Sequence, residues 1–119
     1  MNIAIDFMSE LKQKVLGTLN QLAINRSTIS YRNLADCLQV SPPGRIQQIT
    51  KILETLIIED HRLNKPLMSA LVTGRNGLPG QGFFQICRKI GRYFGPDNGP
   101  QAIFFYELEK ESVYDSIQI

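Results

Sequence analysis

Between Ser30 and Gly80 the chain carries a short amphipathic segment, a turn, a longer amphipathic segment and a glycine-rich stretch. That order constrains the fold more than any other feature. Ser30 is suited to cap a helix over Tyr31–Leu38, its hydroxyl accepting from an orphan amide of the first turn. Such a helix buries Leu34, Ala35 and Leu38, with Cys37 beside them. Val40-Ser41-Pro42-Pro43-Gly44 reads as the turn, where Ser41 can cap and Pro42 fits a first helical position. A second helix follows from about Pro43 to Asp60. It carries Ile46, Ile49, Leu53, Leu56 and Ile57 on one face and Ile52 at the border. A short helix, a tight turn and a longer helix have the anatomy of a helix-turn-helix.

The flanking sequence supplies a scaffold. Ile3, Phe7, Leu11, Val15, Leu19 and Leu22 recur at helical spacing, with Met8 and Leu16 widening the stripe, so one long helix is expected over Ile3–Ala23. Thr28–Ser30 is β-branched enough for a short extended piece. Pro66–Val72 reads as a strand, and Thr73–Gly82 as a loop in which Asn76-Gly77 signals a turn. Phe83, Ile86, Cys87, Ile90 and Phe94 predict another helix. After the break at Gly95–Pro100, a last helix from Gln101 to about Ser116 should bury some of Ile103, Phe104, Phe105, Leu108 and Val113. At 119 residues and 43% hydrophobic content, one domain can close a core without disulfide or metal. The expected fold is mainly α: a winged helix-turn-helix over 27–82, an added N-terminal helix over 1–25 and C-terminal helices over 83–119. No apolar run approaches the roughly 18–20 residues that span a bilayer, and no secretory signal is evident. Cys37 and Cys87 form no CxxC pair and read as buried thiols of a cytoplasmic protein.

Charge is segregated. Net charge is +2, yet residues 26–92 hold ten Lys/Arg against four Asp/Glu, while residues 93–119 hold one Lys against five acids. A basic working face with an acidic end points to a polyanion. Arg45, Gln47, Gln48 and Lys51 fall in the first turns of the second helix, where recognition helices present base-reading groups. Arg32, Lys65 and Arg75 are expected to add phosphate contacts, and Arg88, Lys89 and Arg92 form a further basic side. Other chemistries are poorly served. The glycine loop lacks the Lys-Ser/Thr that ends a Walker loop. His61 stands alone, so no metal site is expected. Cys87 has Arg88 and Lys89 beside it, which could lower a thiol pKa with His61 as base. Its place on an apolar face reads as a buried, inert thiol.

Ser30-Tyr31-x-x-Leu34-Ala35, followed at fixed distance by Arg45, resembles the helix-turn-helix of the alkylguanine-DNA alkyltransferases and alkyltransferase-like proteins, over roughly residues 27–92. The resemblance implies that Tyr31 helps to hold a rotated phosphate, that Arg45 enters the base stack, and that the helix lies in the minor groove. The chain departs from that family where it matters for chemistry. Pro66-Leu67-Met68-Ser69-Ala70 stands where the family has Pro-Cys-His-Arg, and the Asn-Pro hinge is missing. Alkyl transfer needs a thiolate beside a base, so no catalytic residue is expected there. The reading is therefore a non-enzymatic, cytoplasmic binder of double-stranded DNA that needs no cofactor, with Tyr31, Arg32, Arg45, Gln47, Gln48, Lys51, Lys65 and Arg75 at the interface. It senses altered bases or regulates transcription, and its apolar N-terminal helix could supply a homodimer surface. The alternatives are a protein-interaction winged helix and a Cys87-dependent enzyme.

Overall fold

The computed structural model describes residues 3–117, with the side chains of residues 3–8 left aside. The chain is mainly helical: α1 Ile3–Ile24, β1 Ile29–Ser30, α2 Tyr31–Cys37, α3 Arg45–Arg62, a 3₁₀ turn Met68–Leu71, β2 Val72–Thr73, α4 Gln81–Lys89 and α5 Pro100–Ser116. The long first helix lies where the apolar spacing put it. Leu11, Val15, Leu19 and Ala23 are buried, against Leu34, Ala35, Ile49, Ile52, Leu53 and Leu56 of α2 and α3. The expected contributions of Ile3, Phe7 and Met8 lie outside the described side chains. The stripe once available for a homodimer is, from Leu11 to Ala23, part of the chain's own core.

Ser30 caps α2 as expected, its Oγ accepting from the Asn33 amide at 3.0 Å. The start of α3 differs. It begins at Arg45, not near Pro43, and its N-cap is Gly44 in a left-handed conformation (φ 68°) with no side-chain bond. Ser41 and Pro42 stay in the turn, and α3 runs on to Arg62, two residues past Asp60. Ile46, placed on the buried face by spacing, is exposed, whereas the border residue Ile52 is buried.

Pro66–Val72 is not a strand. Leu67 is buried and followed by the 3₁₀ turn, and only Val72–Thr73 extends. β2 pairs in parallel with β1, Ile29 opposite Val72 and Ser30 opposite Thr73. The expected wing is therefore a closed loop leaving a parallel strand pair. Gly74 N donates to Leu78 O at 2.7 Å, and Asn76 Oδ1 accepts from the Leu78 amide at 3.1 Å. Leu78 is buried, and only Arg75, Asn76 and Gly77 stand out at the tip.

A second core holds Ile57, Leu67, Ala70, Phe83, Phe84, Cys87, Tyr93, Ala102 and Tyr106, with the Tyr93 and Phe105 rings stacked at 4.5 Å. Here two expected faces are corrected. α4 stops at Lys89, because Gly91 (φ 78°) turns the chain and Arg92 N donates to Cys87 O. Phe94 therefore falls off the helical stripe and is exposed. α5 buries Ala102, Tyr106, Val113 and Tyr114 and turns Ile103, Phe104 and Leu108 outward. Its spacing supports either face, and the pull of Tyr106 and Tyr114 against the core decides. No helix among the described residues is long and apolar enough to cross a membrane.

Candidate nucleic-acid interface

Tyr31 opens α2, and its hydroxyl accepts from the Gly80 amide at 2.7 Å. One bond thus ties the start of the short helix to the end of the glycine loop. Glycine suits that contact, since a Cβ at position 80 would sit 3.2 Å from the Tyr31 oxygen. Burial pushes the Tyr31 phenol above its ordinary range, the Gly80 bond lowers it, and nearby Glu54 raises it again. Beside this clamp lies a cleft of about 210 Å³ lined by Tyr31, Ile46, Thr50, Gly80, Gly82 and Phe83. Behind Phe83, toward Glu54 and Ser69, only about 10 Å³ remains, room for roughly one water.

The strand register also matters. Ser30 pairs with Thr73 in parallel, so Arg32 and Arg75, each two residues further on, leave the same end of the strand pair. Lys51 follows Thr50, which lines the cleft, and Gln47 lies one turn earlier on α3; both are exposed. Arg32 and Arg75 thus follow the same end of the strand pair, and Gln47 and Lys51, four residues apart, share one side of α3.

Three expected members behave differently. Arg45 leads α3 but folds back over the turn: Nη2 lies 2.8 Å from Asp36 Oδ1, and Nε donates to Val40 O at 2.8 Å. Gln48 holds the turn closed, its amide donating to Ser41 O and Pro43 O at 2.9 and 3.0 Å. Lys65 lies past the far end of α3, a helix of 18 residues and so about 27 Å long. There it lines a separate groove with Leu16, Asn20 and Ile117. Of the further basic side, Arg88 pairs with Asp97 and Arg92 with Glu109, so only Lys89 stays free.

Among the described residues, seven cationic side chains are in ion pairs. The six that are not, Arg32, Lys51, Arg62, Lys65, Arg75 and Lys89, are all exposed and all lie between positions 32 and 89. Of the carboxylates whose side chains are described, only Glu54 and Asp60 make no ion pair, and Asp60 accepts from the Met68 amide at 3.1 Å. Unpaired surface charge is therefore almost wholly positive, which bulk composition hides.

Neither thiol route to chemistry is prepared. At the position that the sequence resemblance would give to cysteine, Leu67 is fully buried, and two residues on the Ser69 hydroxyl donates to Leu53 O at 2.9 Å. Cys87 is buried, and burial first, then Glu109, pushes its thiol up to about 12 against the opposing pull of Arg92 and Arg88. His61 accepts at Nδ1 from Arg92. Cys37, expected to be buried, is exposed. Sequence reasoning missed Asp36 as the partner of Arg45, and it missed the cleft, because Ile46 and Phe83 read as plain core positions. Comparison with protein-family models, curated proteins and solved structures returned no match to this chain.

Proposed function

We propose that this chain is a non-enzymatic DNA-binding protein of helix-turn-helix type, with the closed loop at Arg75 in the place of a wing, and akin to the alkyltransferase-like proteins. The observation that carries the reading is the set of exposed, unpaired cations confined to positions 32–89. Arg32 and Arg75 leave one end of the strand pair and Lys51 stands on the recognition face of α3. Three such groups neutralising phosphates release counterions, so log affinity should fall by about 3 per decade of salt. Gln47 is the exposed donor-acceptor side chain nearest the start of α3 and the natural reader of a base edge. Backbone and groove contact fits the resting geometry better than base extrusion does, because Arg45 is held by Asp36 and the cleft beside Tyr31 closes behind Phe83.

A gel-shift titration on plain, mismatched and alkylated duplexes at two salt concentrations tests this. Retardation of all three duplexes with the stated salt slope is expected. It should weaken on Lys51→Glu or Arg75→Glu and persist in Lys65→Glu, whose charge lies at the other end of α3. Tight binding to the altered duplexes alone would move the reading to base extrusion. No retardation of any duplex, or a flat salt response, would remove it.

A further inference from the structure

We propose that Asp36 is an internal competitor for DNA phosphate, holding Arg45 out of the interface and so limiting how tightly the chain binds; this rests on the DNA-binding reading. Between Arg26 and Leu53 the sequence holds a single acidic residue, Asp36. The fold sets that carboxylate on Arg45, with Nη2 2.8 Å from Oδ1. The two side chains are 35% and 54% exposed, so the pair lies at the surface. It lies, too, in the stretch of chain that carries the unpaired cations Arg32 and Lys51.

Arg45 is a cation already occupied. One edge of its guanidinium is spent, Nε donating to Val40 O and Nη2 to Asp36, so a forked contact of that edge with phosphate is closed. A phosphate that approached the remaining edge would stand beside the Asp36 carboxylate and be repelled by it. Arg32 lies four residues before Asp36, one turn along the exposed side of α2, so the same carboxylate also weakens its field. The fold has little other use for the acid. Among the described residues its carboxylate has no partner but Arg45. The turn is held without it, by Arg45 on Val40 O and by Gln48 on Ser41 O and Pro43 O. An exposed ion pair also adds little to stability. What the pair does change is the charge offered to a polyanion, by keeping the leading residue of α3 neutralised.

The test is a gel-shift titration of a plain duplex against salt, using the full chain, Asp36→Asn, Asp36→Ala, and Asp36→Asn combined with Arg45→Gln. Thermal unfolding checks that each protein is folded. Either single substitution should tighten binding about tenfold at low salt, the worth of one further charge-assisted contact. Each should also steepen the fall of log affinity from about 3 to about 4 per decade of salt, since one more phosphate is neutralised. Adding Arg45→Gln should return the slope to about 3. Tighter binding at an unchanged slope would mean that Asp36 only repels the duplex through space, and overturns the proposal. So does a gain that survives Arg45→Gln, or weaker binding in both single variants, which would make Asp36 a support of the interface. Retardation of the unsubstituted chain with none of these changes sinks this inference alone. No retardation of any of the four proteins sinks the DNA-binding reading together with it.

Discussion

At the scale of single residues, the side chains that matter act by closing turns. The Tyr31 hydroxyl accepts from Gly80 N across 49 positions of sequence. Removing it leaves a partly buried amide without an acceptor, which costs about 1–2 kcal/mol. Tyr31→Phe should therefore lower the unfolding free energy from urea titration by that amount and speed hydrogen exchange at the Gly80 amide; unchanged exchange there would refute the clamp. Asp60 gives a sharper comparison. Burial raises its carboxyl above the ordinary range, against the Met68 bond and Lys65 that lower it. The native environment disfavours the charge but uses the oxygen. Asp60→Asn should then be neutral or slightly stabilising at pH 7, while Asp60→Ala costs about 1–2 kcal/mol by stranding the Met68 amide. Equal losses in both variants would contradict this. The Ser30 cap was legible from residue type alone. The Arg45–Asp36 pair was not, because it spans a turn whose path no periodicity encodes.

At the scale of elements, the ends of α1, α2 and α5 were readable to within a residue, and the bounds of α3 and the end of α4 were not. α1, α2, α3 and α4 all end in the same motif, in which the second residue past the cap donates back to a carbonyl in the last turn. The bonds are Ser27 to Leu22, Val40 to Ala35, Lys65 to Asp60 and Arg92 to Cys87, at 2.8 to 3.0 Å. The motif needs a left-handed residue, usually glycine. Only α4 supplies one, Gly91; the others use Arg26, Gln39 and Asn64 at φ 51°, 52° and 55°. Glycine alone therefore marks one of these four stops. The left-handed form costs an L-residue about 1–2 kcal/mol, partly offset by glycine's greater chain entropy. Arg26 pairs with Asp115 and Asn64 tolerates this region, so the clean test is exposed Gln39. Gln39→Gly should stabilise by about 0.5–1 kcal/mol in thermal unfolding, and Gly91→Ala should destabilise. A loss on Gln39→Gly would show that its side chain has work at the turn.

At the scale of the whole molecule, a polar knot ties α5 to the Lys65–Leu67 segment and to the turn after α4. Arg92 donates to both Glu109 oxygens at 2.9 and 3.2 Å and to Lys65 O at 3.0 Å, while Glu109 also accepts from Leu67 N. The two side chains are 19% and 12% exposed, so removing one strands the other, and Arg92→Ala should cost about 2–4 kcal/mol. Both residues looked like surface charge in the sequence, which is why the acidic end appeared wholly separate from the basic segment. The same burial sets the response to pH. The Cys87 thiol is pushed up to about 12, and burial also raises the phenols of Tyr31 and Tyr106. Each group keeps its proton longer in the folded chain than in the unfolded one. Their contribution is complete below the unfolded values, about 8.5 for Cys and 10 for Tyr. Above those values the unfolded state binds fewer protons, so stability falls as pH rises toward the folded values. Urea midpoints measured from about pH 8 to 11 should decline steadily. Cys87→Ala should start lower, through the small cavity it leaves, yet decline less between about pH 8.5 and 10, where only the thiol differs between the two states. A parallel decline in both proteins would mean that Cys87 ionises as freely in the fold as outside it, and would return that thiol to consideration as a nucleophile.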